Sequence, residues 1–230
     1  MPSVNLPQTH ALLSSAPSMV FREKLCDVVL RDRSVVTFDK DQALYDVGDD
    51  NRALFFIRTG FVKIGTITED GHELIYDIRK AGDIVGELCA SEHTRQDRAV
   101  ALERTEIIVV PFDEILEIVQ KDKNLLRQIL GLFSNSLSDA YDQLNSLAFS
   151  HIVHRLVRVL LKLGSHLGRS TRHGIEISTY LTQEEIAQMV AVRRERVSTA
   201  MNFLRRRGMV NYSHHGHLVL NLEALENYAD

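Results

Sequence analysis

The sequence of 230 residues contains no Trp, two Cys and four Pro. Cys26 and Cys89 are too few for a disulfide framework, a four-cysteine metal site or an iron–sulfur cluster. No apolar run reaches the roughly 18 residues that a membrane span needs. Residues 1–18 lack a basic start followed by a hydrophobic stretch, so no secretion signal is expected. The resulting prediction is a reduced, cytoplasmic protein with no membrane partner.

Charge is unevenly distributed along the chain, and the net charge of −4 conceals this. Residues 1–150 carry 16 Lys and Arg against 24 Asp and Glu, whereas residues 151–230 carry 11 against 7. The segment 193–207 alone holds six Arg and one Glu. An acidic first part and a basic second part indicate that only the second meets a polyanion. The alternative is a basic helix that is simply solvated.

Short apolar segments and glycine-centred turns alternate from about residue 25 to residue 110. The segments are rich in Val, Ile, Phe and Tyr and comprise Ala53–Ile57, Phe61–Thr66, Glu73–Ile78 and Glu106–Val110. The turns contain Gly48, Gly60, Gly71 and Gly82, which supply the positive φ that other residues adopt only at a cost. Regular short strands of this kind predict an antiparallel barrel or a jelly-roll-like sandwich.

A long helix is predicted from Asp122 to about Leu147, after a short helix at Asp113–Val119. Its apolar residues alternate at spacings of four and three across three heptads and are Leu126, Leu130, Phe133, Leu137, Ala140, Leu144 and Leu147. Tyr141 lies beside this stripe, and a second stripe comprises Leu125, Ile129 and Leu132. One stripe can cover the chain's own barrel, so the other favours a partner helix from an identical chain. The alternative is one helix buried on two sides within a monomer.

A hinge is predicted at Phe149–His151, directly after the long helix. An amphipathic helix at Ile152–Gly164 follows, because its apolar residues recur at helical spacing. A polar loop over Gly164–Gly174 and a short strand at Gly174–Ser178 are expected to lead into the last part of the chain.

A helix-turn-helix is predicted near the C-terminus. Residues 182–185, Thr-Gln-Glu-Glu, form a capping box that starts a helix ending near Ala191–Val192. A second helix at Arg193–Arg207 follows after a sharp corner. Two further strands would form a hairpin wing at Val210–Tyr212 and Leu218–Leu220. The pattern is that of a winged helix-turn-helix, whose second helix enters the major groove of DNA.

The exposed face of this second helix has the chemistry of a DNA contact. The residues opposite its apolar side are Arg194, Glu195, Ser198 and Thr199. Arg can donate two hydrogen bonds to guanine, and Glu can accept one from cytosine. Arg196 and the Thr182 hydroxyl are better placed for phosphates, contacts that orient a protein without specifying sequence.

These features together resemble the Crp–Fnr superfamily of bacterial transcription regulators over nearly everything after about residue 25. The resemblance rests on the turn glycines and on three segments, namely Ala81-Gly82-Asp83-Ile84-Val85-Gly86-Glu87-Leu88, Leu181-Thr182-Gln183-Glu184-Glu185-Ile186-Ala187 and Arg194-Glu195-Arg196-Val197-Ser198. It implies a β-roll like that of cyclic-nucleotide-binding domains, a long dimerisation helix and a DNA-binding domain.

The resemblance also assigns roles to individual residues. Base edges would be contacted by Arg194, Glu195 and Ser198. Phosphates would be held by Thr182, Arg193 and Arg196. Many members carry Arg where this chain has Thr199, so the guanine contact of that Arg is not carried over.

An effector pocket is implied in the β-roll by the same resemblance, at Gly86, Glu87, Leu88, Arg98 and Ala99. In members that bind cyclic AMP, a Glu accepts from the ribose hydroxyl and an Arg neutralises the phosphate. The position of that Arg is occupied here by Asp97, and a loop shift would be needed to bring Arg98 or Arg95 into the role. A cyclic nucleotide, another effector and no effector are all open alternatives.

Metal, haem and catalytic sites are not expected. Two cysteines cannot supply the cluster of the oxygen-sensing relatives, and His93 and Cys89 do not fall where the carbon-monoxide-sensing relatives place their haem ligands. No Cys or carboxylate accompanies the remaining candidate ligands, which are His151, His154, His214, His215 and His217. The sequence has no phosphate loop, nucleophile elbow or zinc-hydrolase motif, so an enzyme is not predicted.

The predicted fold is α+β, with an antiparallel, jelly-roll-like β-roll, a long dimerisation helix and a winged helix-turn-helix. The parts are an N-terminal extension (1–24), a sensor domain (25–121), a dimerisation helix and hinge (122–150) and a DNA-binding domain (151–230). The predicted function is a homodimeric, sequence-specific transcription regulator controlled allosterically through the β-roll. Its expected partners are a pseudo-palindromic DNA duplex, a second copy of the chain and RNA polymerase. The alternative is a cyclic-nucleotide-binding signalling module whose C-terminal domain docks a protein.

Overall fold

The computed structural model describes residues 33–90 and 94–229. The N-terminal extension at 1–24, Cys26 and His93 therefore lie outside the described residues. Within the described part of the chain, no helix is both long and apolar enough to cross a membrane.

Eight antiparallel strands form two four-stranded sheets in the N-terminal domain. The strands are β1 Val36–Phe38, β2 Ala43–Tyr45, β3 Ala53–Thr59, β4 Phe61–Ile67, β5 Glu73–Lys80, β6 Ile84–Val85, β7 Arg98–Ala101 and β8 Thr105–Pro111. One sheet has the order β1-β8-β3-β6, and the other has the order β2-β7-β4-β5. The four predicted strands are confirmed as β3, β4, β5 and β8. The other four strands are short, with two to four residues each.

Alternation of side chains along β3 builds two cores on opposite faces of one sheet. Phe55 and Ile57 are buried with Val62 of β4 in a core that contains residues of both sheets. Leu54 and Phe56 point the other way and pack in a second cluster, on the helices that follow the β-roll. Successive residues of a strand face opposite sides, so a fully apolar strand such as β3 is expected between two apolar layers.

The turn between β3 and β4 shows why glycine is needed there. Gly60 has φ +89°, and a Cβ at this position would lie 2.4 Å from Thr105 Oγ1. Both the backbone conformation and the close approach of β8 therefore exclude a side chain. The predicted positive φ is confirmed at Gly60 and at the other turn glycines, Gly48, Gly71 and Gly82.

Two helices follow the β-roll, α1 at Phe112–Gln120 and α2 at Lys123–Phe149. The Asp122 side chain caps α2 by accepting hydrogen bonds from the backbone N–H groups of Asn124 and Leu125. The 27 residues of α2 give it a length of about 40 Å at 1.5 Å per residue. Helix α2 ends before Ser150, whose backbone is extended. Both predicted helices are confirmed, as is the break between the long helix and the next one.

The C-terminal domain combines four helices with a four-stranded antiparallel sheet of order β11-β12-β10-β9. The elements are α3 Ile152–Leu167, β9 Gly168–Thr171, β10 Gly174–Ile177, α4 Gln183–Val190, α5 Arg194–Arg206, β11 Val210–Tyr212, β12 Leu218–Leu220 and α6 Leu222–Ala229. The predicted helix-turn-helix is confirmed as α4 and α5, and the predicted wing as β11 and β12. Helix α6 is an element that the sequence pattern did not predict.

The prediction of a polar loop over Gly164–Gly174 is wrong. Helix α3 continues to Leu167, which is buried, and the next residues form β9 and pair with β10. Gly164 is not a helix end. A Cβ at Gly164 would lie 2.7 Å from Leu222 Cδ2, so the missing side chain allows α6 to pack closely against α3.

The C-terminal domain packs against strand β5 of the β-roll. Ile75 and Ile78 of β5, together with Leu102, belong to the apolar cluster that forms the core of the C-terminal domain. Leu156 of α3 and Ile186 of α4 are fully buried in the same cluster. The two domains thus share apolar surface through β5.

Candidate nucleic-acid interface

A capping box sets the start of α4, as predicted. The backbone N–H of Glu185 donates to Thr182 Oγ1 at 3.1 Å, and the backbone N–H of Thr182 donates to Glu185 Oε2 at 2.7 Å. The Thr182 hydroxyl also donates to Glu185 Oε2, at 2.8 Å. The hydroxyl predicted to hold a phosphate is therefore engaged within its own helix start.

The corner between α4 and α5 is made by a residue other than glycine. Ala191 has the left-handed conformation, with φ 56° and ψ 51°, and its N–H donates to Ala187 O. The N–H of Val192 donates to the same carbonyl at 3.1 Å. This left-handed residue reverses the chain within a few residues, which places α5 across α4.

Helix α5 has one buried face and one exposed face. Its buried residues are Val197, Ala200, Met201 and Leu204. The predicted DNA-contacting residues Arg193, Arg194, Glu195, Arg196 and Thr199 are exposed, and Ser198 is half-buried. The structure thus brings all six together around the first two turns of α5. The Thr199 hydroxyl donates to Glu195 O at 3.0 Å, within the helix.

The exposed arginines at the start of α5 are not held in ion pairs within the described part of the chain. Arg193, Arg194 and Arg196 form no ion pair with any residue that the structure describes. Their guanidinium groups are therefore available for an external anion. Because Arg is always charged at ordinary pH, this end of α5 is permanently cationic.

Two of the three arginines at the other end of α5, Arg205 and Arg207, make contacts within the domain. The Arg205 guanidinium lies 5.5 Å from the ring centre of Tyr212, and the Arg207 guanidinium lies 4.4 Å from that of Phe203. These are cation–π contacts within the domain. The number of arginines in the sequence does not distinguish the two ends of the helix. The structure does, because Arg205 and Arg207 contact aromatic rings of the same domain.

The wing histidines do not converge on a metal site. His217 Nδ1 lies 2.9 Å from the backbone oxygen of Ile177, whereas His214 and His215 are exposed. His154 of α3 stacks on Tyr228, with ring centres 5.3 Å apart. Among the described residues, no three or more His, Cys, Asp or Glu side chains form a group that could hold a metal ion.

Helix α2 carries the two apolar stripes predicted from its sequence. Leu125 is buried against the β-roll, and Ile129 and Leu132 pack on the same cluster. The residues of the other stripe that are exposed are Leu126, Leu130, Leu137, Ala140, Tyr141, Leu144 and Leu147, while Phe133 is half-buried. Leu137 is 53% exposed and Leu144 is 61% exposed. A continuous stripe of exposed large apolar residues marks an interaction surface.

The residues predicted to form an effector pocket do not all face one space. Arg98 lies at the start of β7, and its Nη2 is 3.3 Å from Asp46 Oδ2. Glu87 Oε1 is 3.7 Å from Arg79 Nη2. Leu88 is exposed, whereas Gly86 and Ala99 are buried in the β-roll. The charged members of the set are thus paired with residues of the same chain.

A buried arginine occupies the interior of the β-roll beside Gly86. Arg95 is 1% exposed and donates hydrogen bonds to two backbone carbonyls. Its guanidinium carbon lies 4.1 Å from the ring centre of Tyr45. The Tyr45 hydroxyl donates to Asp97 Oδ2 at 3.0 Å, and burial raises the pKa of the Tyr45 hydroxyl and of the Asp97 carboxyl. Sequence reasoning named Arg95 as a residue that a loop shift could bring in, and the structure places it inside.

Ion pairs connect the β-roll to both the long helix and the DNA-binding domain. Lys162 Nζ of α3 lies 3.4 Å from Asp77 Oδ1 and 3.1 Å from Asp139 Oδ2. Arg79 Nε lies 3.3 Å from Asp77 Oδ2, and Arg79 in turn pairs with Glu87. Burial lowers the pKa of Lys162, but the carboxylates of Asp77 and Asp139 outweigh burial and raise it overall. No local sequence pattern predicts this network, because its members are far apart along the chain.

Comparison with known proteins agrees with this geometry. Two family models match the chain: the cyclic nucleotide-binding domain over residues 35–122 and the Crp-like helix-turn-helix domain over residues 154–228. The fumarate and nitrate reduction regulatory protein of Yersinia pestis is 27% identical over 207 residues, which are 90% of this chain and 82% of that protein.

Solved structures share the fold over most of the chain. FixK2 from Bradyrhizobium japonicum has a TM-score of 0.75 at 20% identity and covers 85% of this chain and 96% of its own. The c-di-GMP responsive global regulator CLP of Xanthomonas campestris has a TM-score of 0.72 at 20% identity and covers 86% of this chain and 98% of its own.

A β-roll of the cyclic-nucleotide-binding type, joined to a Crp-like helix-turn-helix with an exposed arginine face, defines a DNA-binding transcription regulator. The chain belongs to the Crp–Fnr family of these regulators. The predicted family, fold class and regulator function are thereby confirmed. The alternative, in which the C-terminal domain docks a protein, is not favoured.

Proposed function

We propose that the protein works as a homodimer that binds a pseudo-palindromic DNA site, with one half-site for each protomer. The observation that carries this proposal is the presence on one chain of two separate exposed surfaces. One is the apolar stripe of α2, and the other is the arginine face at the start of α5. Neither surface has a partner within the described part of the chain that would explain it.

The stripe of α2 supports a dimer of parallel long helices. Leu137 and Leu144 are more than half exposed, and their neighbours in the heptad pattern continue the stripe along the helix. A second copy of the chain has the same stripe, so two helices related by a two-fold axis would bury both. The two recognition helices would then enter successive major grooves about 34 Å apart.

The start of α5 supports sequence-specific contacts with DNA. Arg194 and Glu195 would contact base edges, where Arg suits guanine and Glu suits cytosine. Ser198 and Thr199 would assist. Arg193 and Arg196 would hold phosphates on either side, and Thr182 would join them by giving up its hydrogen bond to Glu185.

The ion pairs around Lys162 support communication between the sensor and the DNA-binding domain. Lys162 contacts Asp77 of the β-roll and Asp139 of the dimerisation helix at once. A change in the β-roll that moves Asp77 would therefore favour one arrangement of α3 over another, which is a shift of population between two states.

The division of the chain at residues 24, 121 and 150 follows these functional parts. RNA polymerase is the expected further partner, the cytoplasm the expected location, and no catalytic step is proposed.

The proposal is tested by selecting duplexes from a randomised pool with the purified protein and by sedimentation of the free protein. A dimer in solution and selected sites with two inverted half-sites are the expected results. Leu137→Glu places a charge in the α2 stripe and should give monomers that select no site. Asn135→Glu, on the opposite side of the same helix, is the matched control and should remain dimeric. A wild-type monomer, or selected sites without inverted symmetry, would contradict the proposal.

A further inference from the structure

The interior of the β-roll holds a cation of the chain itself. Arg95 Nη1 donates to Gly86 O at 2.7 Å, and Nη2 donates to Ala53 O at 2.6 Å. Its guanidinium contacts two neighbouring aromatic rings and lies 4.1 Å from the centre of Tyr45 and 5.4 Å from the centre of Phe55. Such a side chain is strongly held, because a buried guanidinium that loses its partners is very costly.

The backbone of Arg95 is fixed as firmly as its side chain. Its N–H donates to Asp49 O at 2.9 Å, and its carbonyl accepts from Gly48 N–H at 2.8 Å. The turn that precedes β3 thus anchors the residue on both sides of its Cα. A simple rotation of the side chain would not clear the interior, since the guanidinium is enclosed by both strands and rings.

The space next to Gly86 is filled. A Cβ built on Gly86 would lie 2.8 Å from Arg95 Nη1 and 2.9 Å from Ala53 O. There is consequently no room for a methyl group at this glycine, because the Arg95 guanidinium and the Ala53 carbonyl already lie there. In a domain of the cyclic-nucleotide-binding type, this glycine and the following Glu87 are the segment expected to face the nucleotide.

Asp97 places a buried carboxylate at the position where the family carries its phosphate-binding Arg. Asp97 is 2% exposed, and only one of its carboxylate oxygens, Oδ2, has a hydrogen-bond partner, the Tyr45 hydroxyl. A carboxylate in a low-dielectric interior repels a phosphate strongly. Arg98, the nearest alternative cation along the chain, pairs with Asp46 instead.

The contact expected for the ribose is also used internally. Glu87 lies 3.7 Å from Arg79, which belongs to the ion-pair network that reaches Lys162. A nucleotide that took the Glu87 carboxylate would have to compete with this arginine. The residues of this chain therefore do not fit a cyclic nucleotide.

We propose that Arg95 is a built-in occupant of the effector chamber, which closes the β-roll to cyclic nucleotides and makes DNA binding independent of them. The guanidinium, held by Tyr45, Phe55 and the carbonyls of Gly86 and Ala53, fills the volume that an effector would enter. The DNA part of this statement rests on the proposed function, whereas the closure of the chamber does not.

The direct test is calorimetric titration of the full-length wild-type protein with cyclic AMP, cyclic GMP and cyclic di-GMP. No binding heat is expected with any of them, and the affinity for the selected duplex should change less than about twofold when each is added, far below the 5- to 150-fold of typical allosteric coupling. Binding of one nucleotide with a matching rise in DNA affinity would overturn the proposal. Loss of DNA binding under all conditions would count against the proposed function alone. The calorimetry would still show whether the β-roll binds a cyclic nucleotide.

A second test measures whether the space left by removal of the Arg95 side chain binds a free guanidinium compound. Arg95→Ala should unfold at a lower temperature than wild type, and ethylguanidinium at a concentration of about 100 times its Kd should restore part of that loss, whereas the same concentration of sodium chloride should not. Arg98→Ala is the matched control, since Arg98 pairs outside the chamber, and it should show no rescue. Equal responses of the two variants to ethylguanidinium, or none in Arg95→Ala, would refute the occupant role. If Arg95→Ala does not fold, the wild-type titrations settle the matter.

Discussion

His166 of the DNA-binding domain and Asp83 of the β-roll lie 2.9 Å apart, measured from Nε2 to Oδ2. Asp83 belongs to the turn between β5 and β6, and its side chain is 1% exposed. Lys80, from the end of β5, donates a hydrogen bond to the backbone oxygen of His166. One turn away on α3, Lys162 contacts Asp77. The orientation of the DNA-binding domain on its sensor is thus fixed at one edge of the β-roll.

Substitution of His166 should loosen this contact between the domains. His166→Ala removes one partner of a buried carboxylate and should lower the free energy of unfolding by about 1–3 kcal/mol. Amide hydrogen exchange in β5 and α3 should accelerate, and mass spectrometry of the exchanged protein measures it. His166→Gln, which keeps a donor near Asp83, should recover most of the loss. Unchanged exchange in His166→Ala would show that the apolar contacts alone hold the domains together.

Arg194 and Arg196 should differ in how they affect DNA affinity. Arg194→Ala should cost about 1–3 kcal/mol on the selected site and relax the preference at one guanine, because a base contact is lost. Arg196→Ala should weaken binding to all duplexes by a similar factor, because a phosphate contact carries no sequence information. Titrations of both variants against a panel of single-base site variants separate the two effects. Uniform loss for Arg194→Ala would contradict its assignment to a base.

Asp97 should make stability depend on pH. Burial raises the pKa of Asp97, so the folded state binds a proton more readily than the unfolded chain. The stability from this proton is present at low pH and is lost as the pH rises through the folded-state pKa. Asp97→Asn should therefore gain stability relative to wild type near neutral pH, and the gain should shrink towards about pH 4.

Urea unfolding across this pH range measures the difference between wild type and Asp97→Asn. Tyr45→Phe serves as a matched variant, because the Tyr45 hydroxyl donates to Asp97 and lowers its pKa. Loss of this hydrogen bond should make the dependence of stability on pH steeper. A gain for Asp97→Asn that grew as the pH fell would reverse the sign and contradict the assignment.

Ala191 should be a site where glycine stabilises the protein. Its φ of 56° is unfavourable for a residue with a Cβ. Ala191→Gly should raise the free energy of unfolding by about 1 kcal/mol, since the left-handed conformation costs an L-residue roughly that amount. Gln188→Gly, inside α4, should lower it by about the same amount and is the matched control. Thermal unfolding of both variants measures the two effects, and equal signs would contradict the explanation.

Local patterns were sufficient to predict the strands, the long helix and the helix-turn-helix. Strands β3, β4, β5 and β8 are dense in β-branched and aromatic residues, and the capping box at Thr182 marks its helix without help from the rest of the fold. The error at Gly164 has a tertiary cause. A glycine in a helical pattern ordinarily indicates the end of the helix, whereas Gly164 lies within α3 and makes room for Leu222.

The interior of the β-roll could not be predicted by counting along the chain. The spacing from Gly86 places Asp97 at the position of a phosphate-binding Arg, but it does not show that Arg95 is buried against Tyr45 or that Arg98 pairs with Asp46. The buried position of the Arg95 side chain depends on Tyr45, Phe55 and Ala53, which are about 40 to 50 residues away in sequence. The pairing of His166 with Asp83 is long-range in the same way.

The cation–π contacts of Arg205 with Tyr212 and of Arg207 with Phe203 have a consequence for the thermodynamics of DNA binding. Each phosphate that a protein cation neutralises on B-DNA frees about 0.9 of a condensed counterion. If only the arginines at the start of α5 reach the backbone, each protomer liberates fewer small ions than the six arginines of this segment would suggest. Added electrolyte should then weaken the complex only gently, and contacts with the bases would supply a correspondingly larger share of the affinity.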